Sequence, residues 1–335
     1  MPTDHDVAPF PPIRTLGPAD LRSCVALSVD RGWSPEKNKW SLLLAASEVF
    51  GIDAPDGRGL AGAVVLTRWG PGFASVGMML VAARYGRRGL GRALMEHLLR
   101  AAGENALVTL FATDMGRPLY EKLGFEAVRR NVSFVGTFRP DPNNSKKSGT
   151  LVPRSGSASP ALPAMFSDSA APVVPTSGTR TGPAWTIGTG PAGVIRTAGE
   201  ADMPAILAVD RAAFGADRSR ILTRLPGFAD RIAVLEDGDG VAGYAAAWRN
   251  DVTSTVIGPL VAPDAAAAGR LVTALAADAR TPVRLDLDPD RPELPGWAHA
   301  HGLEPTGRTV VMAHGDPAPR GAPDRLFTPI SVALA

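Results

Sequence analysis

The 335-residue sequence has one cysteine, three tyrosines and no long apolar run, and each scarcity narrows the class of protein. The single Cys24 excludes an intrachain disulfide and a cysteine-rich metal site, which favours a reducing compartment. A membrane-spanning helix needs about 20 consecutive apolar residues, and residues 1–10 lack the basic start and apolar run of a secretory signal. We therefore expect a cytoplasmic protein with no membrane partner.

An excess of charge of one sign is also missing. The sequence has 35 Lys and Arg against 33 Asp and Glu, a net charge of +2, so nothing draws it generally to polyanions, and we expect no nucleic-acid partner. Apolar residues make up 45% and charged residues 20%, which is typical of a globular protein. The length suffices for two compact cores.

One internal stretch lacks apolar periodicity. Residues 139–190 are rich in Pro, Ser, Gly, Ala and Thr, so they cannot recover the entropy of ordering by burying apolar surface. We predict a flexible, disordered linker there, between a first domain over residues 11–138 and a second over residues 191–335.

The two flanking regions resemble each other. Four segments recur in the same order at a near-constant offset, which indicates an internal duplication. The pairs are residues 13–20 with 195–202, 60–65 with 241–246, 77–82 with 258–262, and 123–126 with 301–304.

Each copy alternates short strands with helices, which predicts an α/β (α+β) fold with a mixed sheet. Asp20 is expected to cap the first helix. In the first copy we predict helices over residues 21–30, 35–49, 91–102 and 117–123, and strands over 13–15, 50–52, 62–67, 74–81, 106–112 and 128–138.

Residues 78–94 form a strand, a turn with two glycines and a helix start. The amides of a first helical turn lack internal partners and lie at the positive end of the helix dipole, so a pyrophosphate is a natural ligand. A bare Gly-x-Gly is weak evidence by itself. A Walker A loop is excluded because no Gly-Lys-Ser/Thr follows, and a dinucleotide fingerprint does not fit a loop preceded by several elements.

Residues 81–94, with Leu-Tyr-Glu-Lys-Leu-Gly-Phe at 119–125, resemble the GNAT acetyltransferase superfamily, whose cofactor motif is Gln/Arg-x-x-Gly-x-Gly/Ala. Two glycines match, whereas Gly86 occupies the leading Gln/Arg position. The resemblance implies acetyl-CoA as cosubstrate, with its pantetheine arm paired to the strand end at Leu80 and Val81 in a V-shaped cleft. Its pyrophosphate would lie on the amides of Arg87, Arg88, Gly89, Leu90, Gly91 and Arg92.

The resemblance also places Tyr120 near the cofactor sulfur, where it would protonate the departing thiolate. The alternative is an aromatic ring that only packs its helix onto the sheet. The resemblance also implies that a backbone amide near Val81 or Ala82 stabilises the oxyanion of the tetrahedral intermediate.

No general base is evident. Glu48 at a predicted helix end, Asp30 and Asp114 are candidates, and a relay of waters is an alternative. Trp33 and Trp40 belong to the segment that covers the acceptor in the family, although core packing explains them equally well.

The second copy departs from the motif. Its loop keeps Gly269 but neither the paired glycines nor the arginines, and Trp297 and Ala298 fall where Tyr120 would be. We expect a degenerate GNAT-like domain with a structural or acceptor-shaping role. A binding module for another ligand and a second catalytic site are the alternatives. His299 and His301 lack a third ligand, so no metal is expected.

The leading hypothesis is therefore acetyl transfer from acetyl-CoA to a primary amine of a small molecule, with a protein amine as the other acceptor to consider, by direct attack in a ternary complex. The alternative is an acyl-CoA-binding sensor or scaffold without turnover. The sequence identifies neither the amine nor the oligomeric state.

Overall fold

The computed structural model describes residues 10–140, 193–250, 253–318 and 320–334. The predicted linker lies outside these residues apart from its first two positions. Thirteen strands of the described chain form one mixed sheet with helices on its faces, as an α/β fold requires. The first copy contains β1 (Arg14–Leu16), α1 (Leu21–Asp30), α2 (Lys37–Ala46), β2 (Glu48–Asp53), β3 (Leu60–Gly70), β4 (Phe73–Val81), α3 (Leu90–Ala102), β5 (Leu107–Ala112), α4 (Arg117–Glu121) and β6 (Glu126–Gly136).

The second copy repeats this order, with two short helices in place of α2 and with an additional final strand. Its elements are β7 (Val194–Thr197), α5 (Met203–Phe214), α6 (Ser219–Leu222), α7 (Leu225–Phe228), β8 (Arg231–Asp237), β9 (Gly240–Asn250), β10 (Ser254–Val261), α8 (Ala265–Ala276), β11 (Val283–Leu287), α9 (Glu293–Ala300), β12 (Glu304–His314) and β13 (Leu326–Thr328). The duplication seen in the sequence is therefore a duplication of structure.

The core forms where both faces of the sheet are covered. β3 reads Leu-Ala-Gly-Ala-Val-Val-Leu-Thr without polar alternation, and all eight of these residues are buried. On α3 the buried residues Leu90, Leu94, Met95 and Leu98 recur with helical spacing, so one face packs on β3 while the other meets solvent.

The two copies exchange their last strands. β12 of the second copy lies between β5 and β6, with Val311 opposite Phe111. β6 of the first copy lies between β12 and β11, with Phe134 opposite Leu285. Each copy's sheet is therefore completed by a strand from the other. Hydrophobic periodicity does not specify a strand's partner, so the exchange could not be predicted from the sequence.

A repeated ion network fixes the start of each copy. Arg14 donates to Asp20, and the Asp20 carboxylate accepts the amide of Gly17 at 2.9 Å. In the second copy the same contacts join Arg196 and Asp202, and hydrogen bonds from Arg196 lower the pKa of Asp202 to about 2. Asp20 is the N-cap residue of α1, as predicted, but its carboxylate accepts from these partners and makes no capping hydrogen bond to the helix.

The second predicted helix also ends earlier than expected. α2 stops at Ala46, and Glu48 begins β2 instead of closing the helix. In that position its carboxylate accepts a hydrogen bond from Arg68 Nε at 2.5 Å. Arg68 also donates hydrogen bonds to two backbone carbonyls at the end of α3. The strand prevails over the helical pattern because Val49 and Phe50 are buried against the sheet.

Candidate functional site

The first copy contains an open cleft at the end of β4. β4 pairs with β5 only from Phe73 to Val76, and the two strands then diverge. On its other edge β4 stays paired with β3 through Val81, across a bulge in which Met78 takes a φ of 45°. The edge of Leu80 and Val81 that faces β5 pairs with no strand of the described chain, so it can accept an extended ligand.

Six consecutive amides follow this edge. The first helical hydrogen bond of α3 runs from Ala93 to the carbonyl of Gly89, at 3.0 Å. The amides of residues 87–92 donate to no acceptor within the described part of the chain. The backbone reverses here through Arg87 at φ 61° and Gly89 at φ 82°, left-handed values that glycine adopts without a Cβ penalty. The result is a set of free donors at the positive end of a thirteen-residue helix.

The arginine side chains play a smaller part than the amides. Arg92 is tied to Glu96 one helical turn on, at 2.7 Å, and Arg88 lies over the ring of Tyr85 at 5.8 Å. All three arginines of the loop are solvent-exposed or nearly so. They place positive charge on the rim, while the backbone forms the cradle.

Gly91 lies where the start of α3 packs on β4 and on α4, the helix that carries Tyr120. A Cβ at Gly91 would lie 3.0 Å from Met79 Cε and 3.3 Å from Leu119 Cδ2, so the first turn of α3 rests directly on β4 and on α4. Tyr120 is the next residue of α4. The two elements that the sequence analysis selected for the cofactor and the acid therefore adjoin each other.

Tyr120 is buried except for 8% of its surface, and it packs edge-on against Phe125 with ring centroids 6.0 Å apart. Its hydroxyl makes no hydrogen bond to another group of the described chain. Burial raises the pKa of Tyr120 to about 12, so the phenol keeps its proton at neutral pH. A protonated, unpaired hydroxyl is suited to donate to a leaving group.

Two of the carboxylates weighed as bases are already engaged. Asp30 accepts the amide of Ala83 at 2.6 Å, and Glu48 is paired with Arg68 as described above. Asp114 lies exposed in the turn before α4. No side chain thus stands out as the base.

The structure decides between alternatives for other residues of the cleft. The amide of Ala82 donates to the carbonyl of Ala61 at 2.9 Å, so it is not free to meet an oxyanion. Trp40 is fully buried and donates to Ser28, which makes it a core residue and not an acceptor wall. Trp33 is 41% exposed.

In the second copy a side chain occupies the corresponding helix start. The carboxylate of Asp264 accepts the amide of Ala267 at 2.8 Å and caps α8. A phosphate placed there would have to displace this negative charge.

The cleft of the second copy is also filled. β10 and β11 pair only at Thr255 and Val256, and β13 occupies the space where they diverge, pairing with β10 at Leu260 and Val261. The amide of Ala262 donates to the carbonyl of Arg325. The chain's own strand thus takes the edge that Leu80 and Val81 leave open in the first copy. β13 could not be predicted from the sequence, because its three residues carry no periodic signal.

The segment after β13 runs along both copies. A Cβ at Gly258 would lie 2.3 Å from the carbonyl oxygen of Pro329, and one at the corresponding Gly77 would lie 1.9 Å from that of Ala333. The recurring glycine is therefore required by close backbone approach. Gly62 of β3 faces Leu94 of α3. Val65, three residues further along β3, faces the opposite side of the sheet, and Gly77 is paired with Val65. The segment that approaches Gly77 therefore lies on the sheet face opposite α3.

The two histidines of the second copy serve its packing. His301 stacks on Trp297 at 4.0 Å, and its Nδ1 lies 2.8 Å from the Trp297 carbonyl oxygen. His299 lies 3.1 Å from Glu304. In the described ranges no group of three or more His, Cys, Asp or Glu side chains is arranged to hold a metal.

The first copy thus combines a diverging strand pair with a helix start whose amides are free, the arrangement that an acyl-CoA-dependent transferase needs, and a second copy of the fold accompanies it. Family models described as "Acetyltransferase (GNAT) domain" match residues 46–127 and residues 206–328. The chain belongs to the GNAT acetyltransferases and carries two GNAT domains.

Comparison with individual proteins agrees with this assignment. The "Uncharacterized N-acetyltransferase YitH" of Bacillus subtilis is 25% identical over 66% of this chain, and the match spans 62% of that protein. A putative acetyltransferase from Pyrococcus horikoshii shares the fold at a TM-score of 0.69, with 17% identity and full coverage of both chains. A tandem GNAT protein from the clavulanic acid biosynthesis pathway has a TM-score of 0.56 and 16% identity, covering 92% of this chain and 99% of its own. Among the described residues, no helix combines the length and apolar character that crossing a membrane requires.

Proposed function

We propose that the first copy transfers an acetyl group from acetyl-CoA to the primary amine of a small molecule, by direct attack in a ternary complex. The observation that carries this proposal is the set of six unpaired amides beside an open strand edge, with Leu119 of α4, the residue before Tyr120, packed against Gly91. GNAT membership supports acyl transfer in general; the acetyl group and the small amine are the proposed specifics.

The described residues fit a coenzyme A thioester. The amides of residues 87–92 would hold the pyrophosphate, and the edge at Leu80 and Val81 would hold the pantetheine amides. When bound, the thioester supplies an activated acyl carbon. Tyr120 holds a proton on its hydroxyl that can pass to a thiolate, since burial keeps the phenol neutral.

Most of the rate gain would come from holding amine and thioester together, because effective molarities of aligned groups reach about 10⁵ M or more. Asp30 and Glu48 are engaged with other groups and no dedicated base is identified among the described residues, so we expect the amine proton to leave through water. The acceptor would then have to supply a fraction of neutral amine, and the rate should rise with pH up to the pKa of that amine.

The test is a thiol-release assay with acetyl-CoA against a panel of small primary amines. We expect amine-dependent thiol release from the wild-type protein and a loss of at least tenfold in Gly91→Val, whose side chain would push Met79 and Leu119 off the first turn of α3. Glu104→Ala, at an exposed turn after α3, is the matched control and should retain full rate. If no amine accelerates thiol release over the background, transfer to small amines is wrong.

An acyl-CoA-binding sensor is the second candidate. It is favoured by the backbone of Ala333, which covers β4 at Gly77 on the face opposite α3 and restricts that side of the cleft. A sensor would bind acetyl-CoA through the same amides but would release no thiol with any amine. Binding and turnover measured on one preparation therefore separate the two functions.

A further inference from the structure

A chain of contacts crosses the opening between β4 and β5 in the first copy. The carboxylate of Asp30, the last residue of α1, accepts the amide of Ala83, just beyond β4, at 2.6 Å. The next residue, Arg31, reaches the turn beyond β5, where its Nη2 lies 3.8 Å from Met115 Sδ. Because β4 and β5 diverge towards these ends, the side chain of Arg31 spans the mouth of the cleft.

The turn that Arg31 contacts also adjoins the proposed proton donor. Gly116 follows Met115, and a Cβ at Gly116 would lie 3.4 Å from the hydroxyl oxygen of Tyr120. The phenol and the guanidinium therefore lie on either side of one short turn. An amine that attacks a thioester beside Tyr120 has this guanidinium close to it.

Arg31 has no acidic partner in the described part of the chain. Its side-chain hydrogen bond there goes to the thioether of Met115, which is a weak acceptor. The carboxylate of Asp30 is used by Ala83, and Asp114 lies exposed without an ion pair to Arg31. A guanidinium presents a planar fork of N–H donors that matches a carboxylate, so a carboxylate on the acceptor would replace a weak contact with a charge-assisted, bidentate pair.

The mouth of the cleft is also apolar. Trp33 is 41% exposed, Met115 is 71% exposed, and Val29 in the last turn of α1 is 54% exposed. All three lie on the two segments that the Arg31 side chain joins. Exposed apolar side chains that are grouped together mark a binding surface, whereas single ones do not. An acceptor with an apolar body would cover them.

We propose that the acceptor is an amino acid in the broad sense, a primary amine that also carries a carboxylate and an apolar group, and that Arg31 binds its carboxylate. The inference rests on the acyl transfer proposed above and adds the class of acceptor. The amine nitrogen bonds to the acyl carbon and the carbon–sulfur bond breaks. The thiolate takes the proton of Tyr120, and the proton lost by the amine passes through water and restores the phenol. Arg31 takes no part in these steps and determines specificity.

Thiol release with matched acceptors tests the role of Arg31. Phenylalanine, 3-amino-3-phenylpropionate and 4-amino-3-phenylbutyrate separate the amine from the carboxylate by one, two and three carbons, and each has a carboxamide counterpart. For the preferred acid, Arg31→Gln should lower kcat/KM at least tenfold and leave that of its carboxamide within twofold, while Arg31→Lys should lose less. The difference in amine basicity cancels, because both substrates are compared in both proteins. Arg22→Gln, an exposed arginine of α1, is the matched control and should change neither value.

A purely structural role for Arg31 gives a different result. An arginine at a helix end also interacts with the helix dipole, and losing that interaction would slow the acid and its carboxamide equally. Equal loss, or no loss with any of the three acids, overturns the proposal.

A titration without turnover separates this inference from the proposed transfer. Calorimetry of the full chain saturated with coenzyme A should show the preferred acid binding at least tenfold more tightly than its carboxamide, and Arg31→Gln should remove the difference. If this holds while no amine accelerates thiol release, the carboxylate site stands and the transfer is wrong. If neutral amines are acetylated without preference for acids, the transfer stands and the acceptor class is wrong. Absence of Arg31-dependent binding by all three acids overturns the inference.

Discussion

Ala298 holds in the second copy the position that Tyr120 holds in the first. The amide of Phe125 donates to the carbonyl of Tyr120 at 3.0 Å, and the amide of Leu303 donates to that of Ala298 at 3.0 Å, each across a glycine in the left-handed region. The backbone turn after the helix is thus preserved in the second copy, whereas the hydroxyl of Tyr120 has no counterpart on Ala298. With the α8 start capped by Asp264, this is why we propose the first copy as the site of acyl transfer.

Tyr120→Phe keeps the ring that packs on Phe125 and removes only the proton donor. We expect kcat to fall about 100-fold, the lower range for general acid catalysis, while the KM for acetyl-CoA changes little. Steady-state thiol-release kinetics measure both. An unchanged kcat would show that the ring is structural.

The pH dependence of Tyr120 follows from its burial, which raises the pKa to about 12 from about 10. The phenol stays protonated below that range, so kcat should show no loss from this group up to about pH 10. The folded state favours the neutral phenol, so its contribution to stability is present below about pH 10 and is lost as the pH rises towards 12. A descending limb near pH 8 that disappears in Tyr120→Phe would contradict the assigned pKa.

Asp264→Ala should destabilise the second copy without creating a cofactor site. Loss of a side-chain cap typically costs about 1 kcal/mol, and Glu104→Ala should cost far less because that side chain lies at an exposed turn. Urea unfolding measures both. Acetyl-CoA should still bind to one site per chain, since β13 continues to fill the second cleft. A variant as stable as wild type would mean that the cap contributes little.

Cutting the chain between the copies should not separate them. A protease site engineered within residues 141–192 would yield two fragments, and we expect them to co-elute in gel filtration after complete cleavage. The reason is that β6 and β12 each pair with strands of the other copy along most of their length. Fragments that separate under native conditions would contradict the exchanged arrangement.

The sequence predicted what depends on local pattern. The strand–turn–helix at residues 78–94 is observed as β4, the glycine turn and α3, because apolar spacing and the two glycines specify it locally. The sequence also predicts the loss of this loop in the second copy, because the paired glycines and the arginines are absent there. By contrast, Glu48 was assigned to a helix end because its strand pairing with β3 is a tertiary interaction.

The remainder of the site depends on contacts distant in sequence. Nothing near Gly77 indicates that Ala333 will approach it, and nothing near Val261 indicates that Leu326 will pair with it. The exchange of β6 and β12 is likewise set by contacts distant in sequence. The apolar pattern of a strand is compatible with a neighbour from either copy, so it does not identify the partner. Gly258 and Gly77 were recognised as recurring, but only the structure supplies the backbone that makes a side chain there impossible.

One titration tests the central claim, that a single acyl-CoA site lies at the α3 start of the first copy. Isothermal calorimetry of the full chain with acetyl-CoA should give one bound molecule per chain, and Gly91→Val should abolish the heat while the protein stays folded by circular dichroism. Two sites per chain, or undiminished binding in a folded Gly91→Val protein, would contradict it.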